Sequence, residues 1–330
     1  MAAGSQHPRV GEVPVAPPQL LVAAFYRFSA MDGEALPALR EELHSLAASV
    51  EVRGTILLAS EGVNGTISGP EAGVQRVLAR LRQIQGLEPL EAKLSWADRQ
   101  AFARLKVRLK REIVTMGCPT VRPAEAVGTY VPPAQWDALI SDPDTLVVDT
   151  RNSYEVAVGS FKGAIDPGTE SFRAFPQWVE QELRPLVQQR QPKAIALFCT
   201  GGIRCEKATA YLLQQGFAGV HHLQGGILRY LEDIPEERSS WQGECFVFDQ
   251  RVTVNHQLEP GSHSLCYACG LPLAAADLMH PAYREGVSCH HCIERYSVSD
   301  RARFAERQRQ LEAQRSARAR AAATATAAKR

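Results

Sequence analysis

The segment Cys199-Thr-Gly-Gly-Ile-Arg-Cys205 combines residue types and spacing that could do cysteine chemistry. It follows an apolar run, Ala194–Phe198, that reads as a buried strand, and it precedes Glu206–Gln215, which has the pattern of a helix. A cysteine at a strand end, followed by a glycine-rich loop and an arginine at a helix start, makes an anion cradle. The N–H groups of Thr200, Gly201, Gly202, Ile203 and Cys205 can turn inward toward the Cys199 sulfur. The helix dipole and Arg204 add positive potential, so the thiol should ionise readily and react as a thiolate. A buried cysteine in isolation is often only a packing residue. The loop shifts the reading to a reactive Cys199 closed in by Arg204. Cys205 has two open readings: it packs against the sheet, or it resolves an oxidised or persulfidated Cys199 as a disulfide.

Two further groups carry chemistry. Cys266-Tyr-Ala-Cys269 and Cys289-His-His-Cys292 are paired Cys-x2-Cys knuckles, the spacing of a closed four-thiolate zinc site. Cys266, Cys269, Cys289 and Cys292 are therefore the expected ligands of a structural zinc. His290 or His291 could replace one cysteine, and Cys245 reads as a packing thiol. Arg104, Lys106, Arg108 and Lys110, flanked by Arg99 and Arg111, would share one face of a strand. Such a stripe could grip a phosphate backbone, or could simply protect a sheet edge.

The elements that must position these groups fall into blocks. Residues 1–19 read as a disordered, Pro-rich tail. Residues 20–113 give the order β-α-β-β-α-β of a ferredoxin-like α+β domain. Its strands are expected at Leu20–Phe28, Val52–Ala59, Thr66–Ser68, Leu87–Leu94 and Arg104–Leu109, with helices at Glu34–Ala48 and Pro70–Gln83. Glu61–Gly65 is read as a turn. Residues 114–130 read as a linker. Residues 131–238 alternate strand and helix, with strands at Leu146–Asp149, Ala164–Ile165 and Ala194–Phe198. This predicts an α/β domain with a mostly parallel sheet and Cys199 at a carboxyl strand end. Residues 239–299 form a Cys-rich module, and residues 300–330 a basic helical or disordered tail.

Composition excludes several classes. The chain has 330 residues, 45% of them hydrophobic, with net charge +1, so nucleic acid contact must come from local patches. No apolar run reaches the ~18 residues a membrane span needs. Met1–Gln19 lacks the pattern of a secretory signal, and eight cysteines in that context point to metal binding or catalysis in a reducing, cytoplasmic setting.

The Cys-x4-Arg loop resembles that of rhodanese-type sulfurtransferases. It is one residue shorter than the Cys-x5-Arg loop of tyrosine phosphatases, so it fits one sulfur atom better than a phosphate. Leu146-Val-Val-Asp-Thr-Arg-Asn-Ser-Tyr-Glu155 is similar to the rhodanese strand–turn region, where the Asp and Arg are structural. Glu61-Gly-Val-Asn-Gly-Thr-Ile-Ser68, Phe198–Lys207, Leu223-Gln-Gly-Gly-Ile-Leu-Arg-Tyr-Leu231 and Trp241–Asp249 narrow the match. Together they resemble the rhodanese-domain tRNA uridine hydroxylases. That resemblance implies C5 hydroxylation of the wobble uridine in the tRNA anticodon by molecular oxygen, with electrons from an external reductant. Cys199 and Arg204 are the implied catalytic residues. No Gly-x-Gly-x-x-Gly fingerprint or His-His-carboxylate iron site is legible in the linear sequence. Two alternatives stay open: a plain sulfurtransferase acting on a small thiol or RNA, and a non-enzymatic zinc adaptor.

Overall fold

The structure is a computed structural model, which describes residues 19–327. The expectations for the N-terminal tail up to residue 18 and for the last three residues lie outside that range. The chain divides after Ile113 into two compact units.

In the first unit, β1 (Leu20–Phe28), α1 (Leu36–Ser49), β2 (Arg53–Ala59), β3 (Gly62–Gly69), α2 (Glu71–Arg82), β4 (Ala92–Ala97) and β5 (Leu105–Leu109) follow in order. They build one sheet in the order β4-β1-β3-β2-β5, with β5 parallel to β2 and the other pairs antiparallel. This is the ferredoxin-like plan with an added edge strand. Alternate residues Leu21, Ala23 and Phe25 of β1 and Ile56 and Leu58 of β2 enter a core closed by Leu43 and Ala47 of α1 and Val74, Val77 and Leu81 of α2. Two expectations shift. The return strand starts at Gly62, so the hairpin turn is only Ser60–Glu61. Gly62 and Gly65 lie inside β3, where a Cβ would stand 2.0 Å from the Arg27 carbonyl oxygen and 2.8 Å from the Phe25 ring. β4 begins at Ala92, later than expected. Residues 84–90 instead form consecutive turns, Leu87 N–H donating to Ile84 and Leu90 N–H to Leu87, because Pro89 has no N–H for a ladder.

The second unit opens with residues 114–128, which have no regular structure but are not a loose linker. Met116 and Val121 are buried in its core, and Lys207 Nζ donates to the Val114 carbonyl at 3.2 Å. Then come β6 (Thr129–Val131), α3 (Pro133–Ile140), β7 (Thr145–Asp149), α4 (Ser153–Val156), β8 (Gly159–Phe161), α5 (Phe175–Trp178), α6 (Arg184–Arg190), β9 (Ala194–Phe198), α7 (Ile203–Gln214), β10 (Val220–Leu223) and α8 (Gly226–Asp233). A four-stranded sheet, β6-β10-β9-β7, is parallel throughout. Every residue of β9 is buried, as expected for a strand covered on both faces. Leu146, Val148, Ile195 and Leu197 face one core with α5 and α7, whereas Val147, Ala196 and Phe198 face the other with Trp136 of α3 and Ile227 and Tyr230 of α8. Ala164–Ile165, expected as a strand, makes only a single bridge from Ile165 to Val148.

The segment expected to open the Cys-rich module continues the second core instead. β11 (Trp241–Gly243) pairs antiparallel with β8, and Trp241, Cys245, Val247 and Val254 pack with Phe161 and Phe198. β12 (Cys245–Phe246) and β13 (Thr253–Val254) form a short ribbon, and β14 (Ser264–Leu265) and β15 (Pro272–Leu273) another. The latter carries its own small core of Cys266, Leu273, Cys289 and Cys292. The basic C-terminal run is helix α9 (Val298–Ala327), whose start is docked rather than frayed. Arg301 donates to the Ile293 carbonyl, Arg307 to those of Tyr267 and Gly286, and Phe304 meets Tyr296 edge-on. Among the described residues no helix is long and apolar enough to cross a membrane.

Candidate active site: the cysteine cradle

Cys199 lies at the carboxyl end of β9, and α7 starts four residues later with Gly202 as N-cap at φ +105°. Only glycine takes that backbone without strain. The Gly202 N–H donates to Cys199 Sγ at 3.1 Å. The cradle's other wall is the start of α8. The N–H groups of Ile227 and Leu228 donate to the Cys199 and Thr200 carbonyls at 2.9 and 3.1 Å. Gly226, at φ +68°, permits this approach. A Cβ there would sit 2.5 Å from the Cys199 oxygen and 2.8 Å from the Gly202 nitrogen.

Arg204 does not reach the sulfur by a hydrogen bond. Its guanidinium forks onto Glu155, with Nη1–Oε1 and Nη2–Oε2 at 2.7 and 2.8 Å, and a third contact runs to Thr200 Oγ1 at 3.3 Å. Both partners are buried. Glu155 is the residue the sequence reading missed. It stands at the third position of α4 behind the N-cap Asn152, and its side chain also accepts the Asn152 N–H at 3.2 Å. A capping-box glutamate was the only legible signal; the buried ion pair depends on a residue 49 positions away. A second buried pair braces this wall. Arg151 bridges Asp149 at 2.6 Å and donates to the carbonyls of Glu155 and Gly159, and Ser160 Oγ donates to Asp149.

The electrostatics follow from these contacts. Burial alone would raise the Cys199 pKa, but the Cys205 thiol, the Arg204 charge and the N–H groups of Cys205 and Gly202 outweigh it and bring it down to about 5. Cys205 moves the opposite way, well above an ordinary thiol, through burial and its hydrogen bond to Cys199. Burial also pushes Glu155 up, but Arg204 and Arg151 overcome this and hold it below the usual carboxylate range. Cys245, buried in β12, is raised to about 12 mainly by burial, which suits a packing thiol. The cradle can therefore hold one sulfur as a nucleophilic thiolate at neutral pH beside a protonated one.

One exposed aromatic stands at this site. Phe248 is 64% exposed, with its ring centroid 6.0 Å from the Arg204 guanidinium carbon. Phe246 meets it edge-on at 5.2 Å, and Tyr154 meets Phe246 at 5.3 Å.

The other predicted groups are built by other elements of the chain. Arg104, Lys106, Arg108 and Lys110 are all exposed along β5 and its two ends, with Val107 buried between. Cys266, Cys269, Cys289 and Cys292 come together with sulfurs within 4.8 Å of one another. Two sulfur–sulfur separations are 3.8 and 3.7 Å, and all four cysteines are free of disulfides. The edge of a tetrahedron with zinc–sulfur bonds of ~2.3 Å is about 3.8 Å, so the set can hold a metal ion such as zinc. His290 and His291 are not part of that set. With Asp277 they form a separate, more exposed cluster with ligand atoms within 4.8 Å, a grouping the linear sequence did not reveal.

A covered parallel sheet with a Cys-x4-Arg cradle at the end of β9 defines a rhodanese-type cysteine protein. Residues 132–233 match the rhodanese-like domain family, and residues 20–113 match the UPF0176 acylphosphatase like domain. A "tRNA uridine(34) hydroxylase" of Parasynechococcus marenigrum is 60% identical, covering 88% of this chain and 92% of that protein. Proteins of the same name from a Synechococcus species and from Prochlorococcus marinus are 60% and 56% identical over 88% and 87% of this chain and 90% and 93% of theirs. The chain belongs to the tRNA uridine(34) hydroxylase family.

Proposed function

We propose that this protein hydroxylates the wobble uridine of tRNA at C5 with molecular oxygen, and that Cys199 is its nucleophile. The observation that carries the reading is the buried Cys199 sulfur accepting the Gly202 N–H at 3.1 Å inside the Cys-x4-Arg loop, where the loop donors and the Arg204 charge bring its pKa down to about 5. Added to uridine C6, the thiolate makes C5 enolate-like and electron-rich enough to capture oxygen. Loss of the C5 proton and expulsion of the thiolate then restore the ring. Gly202 N–H and the Arg204 field stabilise the sulfur anion as it leaves. Glu155 orients Arg204 and does not touch the base. Phe248 offers the extruded base an exposed stacking surface at the cradle, and the β5 cations meet the tRNA backbone. The four-cysteine cluster holds a structural zinc that fastens the module carrying α9. An external reductant closes the cycle, and the setting is cytoplasmic.

The test is nucleoside mass spectrometry on unmodified tRNA incubated with the protein under labelled oxygen gas. Label in 5-hydroxyuridine at the wobble position is expected, and Cys199→Ser should abolish it while tRNA binding stays within about twofold. An unlabelled mass gain would point to thiolation and favour the sulfurtransferase reading. Phe248→Ala should raise the KM for tRNA roughly 5- to 150-fold, the equivalent of one base–aromatic stack of about 1–3 kcal/mol, and Phe248→Trp should restore it.

A further inference from the structure

Hydroxylation by oxygen leaves two electrons unaccounted for, and the cradle contains a second sulfur that the nucleophilic role of Cys199 does not use. Cys205 occupies the first turn of α7, fully buried in the same core cluster as Cys199. The two thiols act on each other's ionisation, Cys205 favouring the Cys199 anion, while the Gly202 N–H donates to Cys199 Sγ at 3.1 Å. Thr150 Oγ1 lies 3.5 Å from Cys205 Sγ and 3.0 Å from the carbonyl oxygen of Phe198, the residue before Cys199. Both sulfurs are thus held under one loop. Neither is committed to the four-cysteine cluster, and neither is in a disulfide. Cys245, the other buried thiol of this unit outside that cluster, has no such partner: its sulfur contacts the Phe246 carbonyl at 3.7 Å.

We infer that Cys199 and Cys205 are the immediate electron donor of the hydroxylation, ending each turnover as a Cys199–Cys205 disulfide. This rests on the hydroxylase reading above and adds the electron source to it. Oxygen accepts four electrons: two as the uridine C5–H bond becomes C5–OH, and two from the sulfurs. The C5–O bond forms and the O–O bond breaks. The distal oxygen passes to Cys205 as a sulfenic acid, since Cys199 is still bonded to C6; the C6–S bond then breaks, and the expelled Cys199 thiolate displaces that oxygen to form the S–S bond. That oxygen leaves as water, with the Cys205 hydrogen and one solvent proton that balances the Cys199 thiolate. The sum is one uridine, one oxygen molecule and two thiols giving one 5-hydroxyuridine, one water and one disulfide. A small thiol or dithiol then reduces the disulfide through a mixed disulfide. A low-pKa attacking sulfur beside a buried, protonated partner is the asymmetry such pairs use.

The experiment is a single turnover of the full-length protein, pre-reduced and freed of reductant, with unmodified tRNA under labelled oxygen. We expect close to one labelled 5-hydroxyuridine per chain and loss of two thiols relative to an anaerobic control. Peptide mapping should find Cys199 linked to Cys205, and a dithiol should restart turnover. Cys205→Ser should lower the single-turnover yield at least tenfold, while continued alkylation of Cys199 in mildly acidic solution shows that the Gly202 N–H and the Arg204 charge still hold its anion. If that variant does not fold, the thiol count of the wild-type protein decides alone. Labelled product with both thiols intact would overturn the inference and leave the hydroxylase reading standing. No labelled product from the wild-type protein even with dithiol present would overturn both.

Discussion

At the scale of single residues, the site is a contest between burial and charge. Removing a thiolate from water is unfavourable, yet a neighbouring thiol, the Arg204 field and the N–H groups of Cys205 and Gly202 reverse the sign for Cys199. The same burial, without that help, drives Cys205 and Cys245 the other way. Cys199 should therefore be the thiol that reacts in mildly acidic solution. Its alkylation rate should be flat from about pH 6 to 8 and should fall as pH drops through about 5, where the thiolate takes up its proton. Glu155 sets how much of the Arg204 charge reaches the sulfur. Glu155→Gln keeps the shape but strips the pair of its anion, leaving Arg204 buried with an unbalanced charge. The expected loss of stability is about 3–5 kcal/mol, the usual result of removing one partner of a buried pair. The alkylation midpoint should at the same time move to lower pH, because removing a negative charge near the sulfur favours its anion. A midpoint that rises or stays fixed would mean that Arg204 does not act on Cys199 through its field.

At the scale of elements, the cradle is two helix starts meeting at one strand end. The starts of α7 and α8 both rely on glycines with positive φ, Gly202 at 105° and Gly226 at 68°. Much of this was legible in the chain. The apolar run Ala194–Phe198, the glycine loop and the alternation of patterns predict a parallel sheet with Cys199 at its end, because a strand covered on both faces must be apolar at every position. What was not legible depends on distance. Leu223-Gln-Gly-Gly-Ile227 served only as a motif of the resemblance, and nothing local shows that Gly226 abuts the Cys199 carbonyl. The pairing of β11 with β8 likewise joins Trp241 to a core built from residues 131–234, so composition alone set that boundary too early. Gly226→Ala tests the element argument. Its Cβ would collide with two carbonyl oxygens and an amide nitrogen, none of them able to swing aside as a side chain can. Separation of the two helix starts is expected, with loss of the Ile227 and Leu228 hydrogen bonds. Cys199 should then lose its low pKa, seen as an alkylation midpoint returning toward about 8.5. An unchanged midpoint would mean that the α8 wall does not shape the cradle.

At the scale of the whole molecule, net charge of only +1 means that any grip on tRNA must be local. The first unit supplies the clearest patch. β5 is an edge strand of its sheet, and along it and its two ends Arg104, Lys106, Arg108 and Lys110 are exposed around a buried Val107. Two roles compete for these side chains. Cations on an edge strand discourage pairing with another chain, and the same cations neutralise phosphates. The salt dependence of binding separates the two. Each phosphate contact contributes about 0.7–0.9 to the slope of log K against log salt. If all four side chains touch the backbone, replacing them with glutamine should lower that slope by about 3 and weaken binding at low salt far more than at high salt. Cys199 reactivity should not change, since these residues belong to the unit that ends at Ile113 and the cradle is built from residues after it. Edge protection alone predicts the reverse: an unchanged slope, with the variant associating or precipitating as its concentration rises. Titrating a labelled anticodon stem-loop at four or five salt concentrations, with the oligomeric state followed alongside, would decide between them.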